Sequence, residues 1–216
     1  MRLYIEKDES YFANTRFDII DLVPYNKNNK VLEIGCGKGA TLLELKRSGK
    51  AKYIVGVDIV DLYQEKFLDK FICCNIENEI YKLPFSENFF DVIICADVLE
   101  HLIDPWKVVK GLKKYLKSNG CFIASIPNIR ELKTMITIFL KGDFRYEKEG
   151  ILDKTHLRFF CKKNMIELFQ NAGFIIEKIT YKLSKKRNLL HKLSFGLFEE
   201  FLVVQYLILA RKSSNE

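Results

Sequence analysis

Long apolar stretches are absent from this chain of 216 residues. No apolar run reaches about eighteen residues, the length at which a helix crosses a bilayer, so no membrane span is predicted. The N-terminus, M-R-L-Y-I-E-K-D-E-S, is charged and contains no apolar segment of the kind that a secretory signal requires. We therefore expect a cytoplasmic protein.

Paired cysteine motifs are absent as well. None of the six cysteines stands in C-x-x-C spacing, which argues against a zinc site or a redox motif, and no metal site is predicted. Four of them lie in or beside apolar, strand-like runs, which is typical of buried free thiols in a reducing cytoplasm. Histidine is also scarce, and the three histidines are His101, His156 and His191.

Signatures of nucleic-acid binding are weak. The formal net charge is +7, which a solvated basic surface explains. The densest basic run, at 182–187, is short and has little aromatic interleaving, and no appended RNA-binding module is visible. We therefore expect a small-molecule substrate rather than a nucleic-acid partner, and the oligomeric state stays open.

The composition predicts one globular domain over 1–216, since 48% of the residues are apolar and 29% are charged. Strand-like and helix-like segments alternate through the first 126 residues, which is typical of a parallel sheet with helices on both faces. The strands are continuously apolar, so we expect them to be fully buried. The predicted strands are 31–34, 53–57, 71–74, 91–95 and 121–126, and the predicted helices are 11–23, 40–48 and 99–116.

The alternation breaks at Pro127 and Asn128. The segment from there to residue 160 is irregular, basic and aromatic. The segment 189–204 is predicted to bury its apolar side chains against the sheet, and the alternative is weak contact with a membrane surface through Leu190, Leu193, Phe198 and Phe201. The predicted helices of this half are 131–140, 162–171 and 189–201, and its strands are 174–181 and 203–210.

The most informative segment is V-L-E-I-G-C-G-K-G, at 31–39. It predicts a strand followed by alternating glycines, and the next strand, 53–57, is followed by Asp58. Glycines let the backbone pass close to a ligand because they carry no Cβ, and a carboxylate can accept both hydroxyls of a ribose. A strand, a glycine turn, a helix and a strand that ends in a carboxylate form a nucleoside-binding unit. The sequence therefore predicts an adenosine-containing ligand.

The glycine spacing leaves two kinds of ligand open. Gly35, Gly37 and Ala40 satisfy the dinucleotide fingerprint G-x-G-x-x-A, so an NAD-dependent oxidoreductase is one alternative. Glu33 favours another ligand, because a carboxylate inside the strand suits a cation better than a pyrophosphate. Gly39 continues the alternation, and matching segments follow the third and fourth strands.

The ordered set of segments resembles the class I S-adenosylmethionine-dependent methyltransferases. The segments are V-L-E-I-G-C-G-K-G (31–39), V-G-V-D (55–58), C-N-I-E (74–77), L-P-F (83–85) and F-D-V-I-I-C-A-D-V-L-E-H-L (90–102). The resemblance implies an α/β, Rossmann-like, doubly wound sheet of seven mostly parallel strands, with the last strand antiparallel. It also implies S-adenosyl-L-methionine as the cofactor.

The second half of the chain is similar to a branch of that family often linked with sugar and cell-surface polysaccharide biosynthesis. The matching segments are S-I-P-N (125–128), G-I-L-D-K-T-H-L-R-F-F (150–160) and N-A-G-F (171–174). The acceptor that this branch implies is a sugar, a nucleotide sugar or a glycan precursor.

The resemblance also implies residues for the methionine end of the cofactor. Gly35, Gly37 and Gly39 would form the loop against its methionine and ribose part. Glu33 would hold its ammonium group, directly or through water. Arg16 would reach its carboxylate, and a surface arginine is the alternative.

Four further residues would hold the adenosine end. Asp58 would bind the ribose hydroxyls, Ile59 would pack on the adenine, and the backbone of Ile76 would reach the ring edge. Asn75 stands where the family usually has an aspartate that accepts from the adenine amino group. An asparagine can still accept there through its carbonyl oxygen.

The acceptor side is predicted from the fourth strand and the irregular segment. Ala96 and Asp97 would lie near the sulfonium, and residues 127–160 would form a lid over the methyl group. An alcohol acceptor benefits from a general base. His156 is the first candidate for that base, followed by His101 and Asp97.

The sequence thus predicts methyl transfer to an oxygen or nitrogen of a small acceptor. Three alternatives remain at this point. One is a methyltransferase that acts on RNA or protein, the second is a cofactor-binding module without catalysis, and the third is the NAD-dependent oxidoreductase.

Overall fold

The structure is a computed structural model that describes residues 14–61 and 67–213. The start of the predicted helix at 11–23 lies outside the described residues. The strands are β1 (Lys30–Ile34), β2 (Tyr53–Asp58), β3 (Lys70–Cys73), β4 (Phe90–Ala96), β5 (Leu116–Pro127), β6 (Phe174–Thr180) and β7 (Gln205–Lys212). The helices are α1 (Phe17–Leu22), α2 (Ala40–Arg47), α3 (Ile76–Glu79), α4 (Pro105–Lys113), α5 (Leu132–Phe139), α6 (Lys162–Asn171), α7 (Lys185–Leu193) and α8 (Glu199–Leu202), with a 3₁₀-helix at Leu99–His101.

All seven strands form one sheet in the order β3-β2-β1-β4-β5-β7-β6. The first five run parallel, whereas β7 runs antiparallel to both of its neighbours, β5 and β6. The strand order reverses between β1 and β4, and loops that leave adjacent strands there diverge to opposite faces and open a crevice. The predicted fold class is confirmed.

Both faces of the sheet are apolar and covered by helices. Successive side chains of a strand point to opposite faces. Val31 of β1 lies in one core with Ile19 of α1 and Leu42 of α2, whereas Leu32 lies in a second core with Val108 of α4. The alternation therefore produces three layers, with the sheet in the middle.

The prediction of one continuous helix at 99–116 is wrong. The 3₁₀-helix ends at His101, and Leu102 is extended before α4 begins at Pro105. A proline disfavours the helical conformation of the residue before it, so Asp104 cannot continue a helix and instead caps the next one. Its carboxylate accepts a hydrogen bond from the amide of Lys107 at 2.9 Å.

The prediction of one continuous helix at 189–201 is also wrong. The segment forms α7 and α8, because Phe195 and Gly196 between them adopt positive φ angles of 49° and 81°. No residue of α7 is buried. The predicted burial of its apolar side chains against the sheet is therefore wrong as well.

The expectation of fully buried strands holds for the middle of the sheet and fails at one edge. Strand β3 pairs only with β2, and none of its residues is buried. All six cysteines are free, as expected, but Cys36, Cys95 and Cys121 alone are buried and Cys73 is exposed. Within the described ranges, no helix has the length and apolar character needed to cross a membrane.

Candidate active site

A cavity of 290 Å³ opens where the carboxyl ends of β1 and β4 meet, at the reversal of strand order. The loops that follow β1, β2, β3 and β4 supply its walls. Eleven of the thirteen predicted site residues line it, namely Arg16, Glu33, Gly35, Gly37, Asp58, Ile59, Asn75, Ile76, Ala96, Asp97 and His101. Gly39 and His156 are not among the residues that line it.

The glycine loop is held against the end of β2. Gly35 has a φ of +69°, and its amide donates to the carbonyl of Val57 at 2.7 Å. A Cβ at Gly35 would collide with a methyl group of Val98, which lines the cavity. Gly39 lies at the N-cap of α2 with a φ of +79°, so it turns the chain into the helix.

Asp58 ties the second strand to the glycine loop. Its Oδ2 accepts from the amide of Gly37 at 2.8 Å, and its Oδ1 accepts from the amide of Val60 at 3.0 Å. Burial raises the pKa of Asp58, although these amides favour its charged form. The two amides fix the orientation of the carboxylate. Each oxygen keeps further accepting capacity, as binding of a ribose diol requires.

Glu33 is the least satisfied polar group of the cavity. Its side chain is buried, and in the part of the chain that the structure describes its Oε2 has no hydrogen-bond partner. Burial raises the pKa of Glu33 to about 8; the charge of Arg16 opposes this rise and that of Asp58 adds to it. A buried carboxyl of this kind gains most from a cation, so the cavity fits a ligand with a positively charged group such as an ammonium.

Arg16 lines the cavity, but the structure pairs it with carboxylates of the protein. Its guanidinium forms ion pairs with Asp18 and Asp97. Asp97 also accepts from Ser125 Oγ at 2.8 Å and from the side chain of Gln205. Its φ of +56° places it in the left-handed region, a strained conformation that this network holds in place. Sequence reasoning missed Ser125 and Gln205.

Asn75 lies on the cavity wall and has a structural contact as well. It is the N-cap of α3, and its Oδ1 accepts from the amide of Glu77 at 3.0 Å. A carbonyl oxygen has a second lone pair. Recognition of the adenine amino group by Asn75 thus stays a prediction.

Two histidines and a buried glutamate lie close together at the cavity wall, and of these three residues His101 lines the cavity. The rings of His101 and His156 are 4.7 Å apart, and His156 Nε2 lies 4.0 Å from Glu100 Oε1. The Nδ1 atoms of His101 and His156 contact the carbonyls of Thr155 and Ile151, each at 3.0 Å. A carbonyl only accepts, so each Nδ1 donates, and the proton-accepting nitrogen of each neutral ring is Nε2.

Glu100 is the residue of this cluster that sequence reasoning missed. It is 1% exposed, and burial raises the pKa of its carboxyl well above the usual range. One ligand atom from each of Glu100, His101 and His156 lies within 4.8 Å of the others, so the cluster has the donors and spacing of a metal site. The adjacent Glu and His of L-E-H were visible in the sequence, but their approach to His156 was not.

The irregular segment at 127–160 reaches the cavity indirectly. Among the described residues, none of its members lines the wall. It attaches to the 3₁₀-helix instead, since the amides of Leu157 and Arg158 both donate to the carbonyl of Glu100 at 2.8 and 2.9 Å. A role of this segment as a lid stays a prediction.

Comparison with known sequences identifies a family for this chain. A family model described as a methyltransferase domain matches residues 9–179. A ubiquinone biosynthesis O-methyltransferase from Haemophilus ducreyi is 22% identical over 171 residues, which are 71% of this chain and 71% of that protein. A tRNA U34 carboxymethyltransferase from Sulfurimonas denitrificans is 30% identical over 118 residues, and the chain spans only 40% of that protein.

Solved structures share the fold. A methyltransferase dependent on S-adenosylmethionine from Archaeoglobus fulgidus has a TM-score of 0.67 at 19% identity, over 94% of this chain and 97% of that one. A [4+2]-cyclase has a TM-score of 0.65 at 18% identity, over 96% of this chain and 85% of that one. The fold by itself therefore does not decide the reaction.

The family model covers most of the chain, and the cavity fits the cationic, ribose-containing cofactor of that family through Glu33 and Asp58. The NAD alternative gains no such support. The chain therefore belongs to the class I S-adenosylmethionine-dependent methyltransferases, and S-adenosyl-L-methionine is its cofactor.

Proposed function

We propose that this enzyme methylates an oxygen or nitrogen atom of a small-molecule acceptor in the cytoplasm, and that the acceptor is a sugar or a glycan precursor. The observation that carries this proposal is the imidazole of His101 on the cavity wall. A hydroxyl or amine acceptor must lose a proton, and an imidazole is the side chain that most often accepts one. Asp97, which lines the same cavity, would orient the acceptor.

The relatives differ in their substrates, as their names state. The ubiquinone biosynthesis O-methyltransferase aligns over 71% of its length, whereas the tRNA-directed relative aligns over 40%. The broader alignment supports a small acceptor. An acceptor in RNA or protein is the second candidate. It is favoured by the match to the tRNA U34 carboxymethyltransferase, which is 30% identical over 118 residues.

The residues divide the work between cofactor and acceptor. The cofactor supplies a methyl group on a sulfonium, and transfer needs alignment with the acceptor in a dry site. Asp97 cannot easily act as base, because its oxygens accept from Arg16, Ser125 and Gln205. We propose His156 as the general base. Its support is the contact of the His156 ring with that of His101, which lines the cavity.

The test is a transfer assay with cofactor labelled on the methyl group. Nucleotide sugars, free glycans and small phenols are offered beside tRNA and protein, and an Asp58→Ala variant controls for cofactor-dependent labelling. We expect label in a sugar-containing small molecule. Label only in tRNA or protein would overturn the acceptor class, and binding of cofactor without transfer to any acceptor would support the non-catalytic alternative.

A further inference from the structure

Helix α7 and the turn after it expose large apolar side chains to solvent. Each of these side chains is more than half exposed, and Phe195 reaches 95%. The exposed set is Leu189, Leu190, Leu193, Phe195, Leu197 and Phe198. Scattered apolar residues are normal on a protein surface, but a contiguous group of this size marks an interaction site.

Helix α5 adds a second apolar surface across a groove of 270 Å³. The groove is lined by Leu132 and Ile136 from α5 and by Leu190 from α7. Next to it, Phe139 and Leu140 are more than two-thirds exposed. Arg187 joins the two helices, because it pairs with Glu131 and donates to the carbonyl of Leu202 at 2.8 Å. We call the exposed surface of α5, α7 and the turn at 194–198 the α5/α7 face.

The charged groups of the α5/α7 face are mostly positive. The carboxylates that flank it are neutralised, since Glu131 pairs with Arg187, Glu199 with Lys162, and Glu200 with Arg130. By contrast, five exposed lysines form no ion pair with any described residue, namely Lys133, Lys141, Lys185, Lys186 and Lys192. The face therefore combines apolar side chains with a rim of positive charge.

The α5/α7 face lies at the same end of the strands as the cavity. Helix α5 follows β5, and α8 precedes β7, whose first residue, Gln205, pairs with the last residue of β5, Pro127. The side chain of Gln205 also bonds to Asp97 in the cavity wall. A partner on this face would thus lie beside the acceptor entrance.

We propose that the α5/α7 face binds the surface of an anionic lipid bilayer. Apolar side chains of α7 and its turn would enter the headgroup region, and the lysines would lie against lipid phosphates, as on amphipathic helices that rest in a membrane interface. The charge selects this occupant. A second copy would oppose two sets of like-charged lysines, whereas an anionic lipid surface complements both the charge and the apolar side chains. The proposal does not rest on the identity of the methyl acceptor.

The experiment measures binding of the full chain to sedimented vesicles. Vesicles of phosphatidylcholine with about one-third phosphatidylglycerol are compared with vesicles of phosphatidylcholine alone. We expect strong binding to the anionic vesicles, weak binding to the neutral ones, and a decrease as added salt screens the lysines. Equal binding to both vesicles, or no binding to either, would overturn the proposal.

A matched pair of variants separates this face from the overall charge. Lys185→Glu/Lys186→Glu should weaken binding to the anionic vesicles at least about tenfold. Lys27→Glu/Lys52→Glu changes the net charge equally and should have little effect on binding. These two lysines are exposed and precede β1 and β2, so they lie at the opposite end of the strands. An equal loss in both variants would show attraction by net charge alone and overturn the proposal.

The apolar contribution is tested with Phe195→Ser/Leu197→Ser, in which both side chains are almost fully exposed, so the fold should persist. Binding should fall without a change in the circular dichroism spectrum or in cofactor affinity. If the chain instead forms a dimer in size-exclusion chromatography, and these substitutions abolish the dimer without affecting vesicles, the face belongs to a second copy.

Discussion

Replacing Glu33 by glutamine should change how the stability of the cofactor-free protein depends on pH. The carboxyl is buried, and its folded-state pKa is about 8, against an ordinary value of 4.5. The folded protein therefore binds the proton of Glu33 more tightly than the unfolded chain does. The resulting stabilisation is complete below pH 4.5 and is lost as the pH rises to about 8.

The size of this effect follows from the pKa difference. A shift from 4.5 to about 8 corresponds to about 5 kcal/mol of stability, lost at about 1.4 kcal/mol per pH unit. For a domain of this size, each kcal/mol changes the melting temperature by about 2–4 °C. The Glu33→Gln variant keeps the shape of the side chain and has no proton to lose. The melting temperature of the wild type relative to this variant should therefore fall by roughly 10–20 °C between pH 4.5 and pH 8.

The assay is thermal unfolding of the two proteins across this pH range, followed by circular dichroism. Glu149→Gln, which changes an exposed carboxylate, is the control and should track the wild type. Added S-adenosyl-L-methionine should flatten the wild-type curve, since positive groups beside Glu33 lower its pKa. If the wild type and Glu33→Gln gave parallel curves, the carboxyl would be ionised in the folded protein and the argument from burial would be refuted.

Three further substitutions test the site and its packing. Asp58→Ala should weaken cofactor binding roughly tenfold to a hundredfold, since a charged hydrogen bond contributes about 1.5–3 kcal/mol; unchanged affinity by calorimetry in the folded variant would mean that β2 does not end at the ribose. His156→Ala should lower methyl transfer at least about tenfold with nearly constant cofactor affinity, and normal turnover would leave His156 with a loop-ordering role. Gly56→Ala would place a Cβ 2.5 Å from Cys36 Sγ, so it should lower stability by about 1–3 kcal/mol, and Cys36→Ala should restore part of that loss in denaturant unfolding.

The residues that meet at the carboxyl ends of the parallel strands could be predicted from the sequence. Buried parallel strands are continuously apolar, and the residues that follow them converge at one edge of the sheet whatever the details of packing. The glycines after β1 and the aspartate that ends β2 therefore had a predictable place, and the structure puts Gly35, Gly37 and Asp58 on one cavity wall. The pattern of a strand is local, which is why short segments were sufficient.

Helix boundaries were predicted less well, because periodicity does not record where a helix must stop. The residue before Pro105 could not be helical, and Gly196 turned the chain between α7 and α8. Both signals were in the sequence, yet the apolar spacing across them favoured one continuous helix in each case. Local backbone preference overrode the apolar pattern at these two places.

The acceptor side depended on contacts between residues that are far apart in the chain. Gln205 reaches Asp97 because β7 inserts antiparallel between β5 and β6, and His156 meets Glu100 because residues 157 and 158 bond to the backbone of the 3₁₀-helix. The apolar side chains of α7 have the spacing of a buried helix, and only the folded chain shows that no element covers them in the part that the structure describes. The sequence by itself determined which residues are apolar, flexible or charged, whereas tertiary structure decided which of them meet and which stay exposed, since burial is a property of the packed chain rather than of any segment.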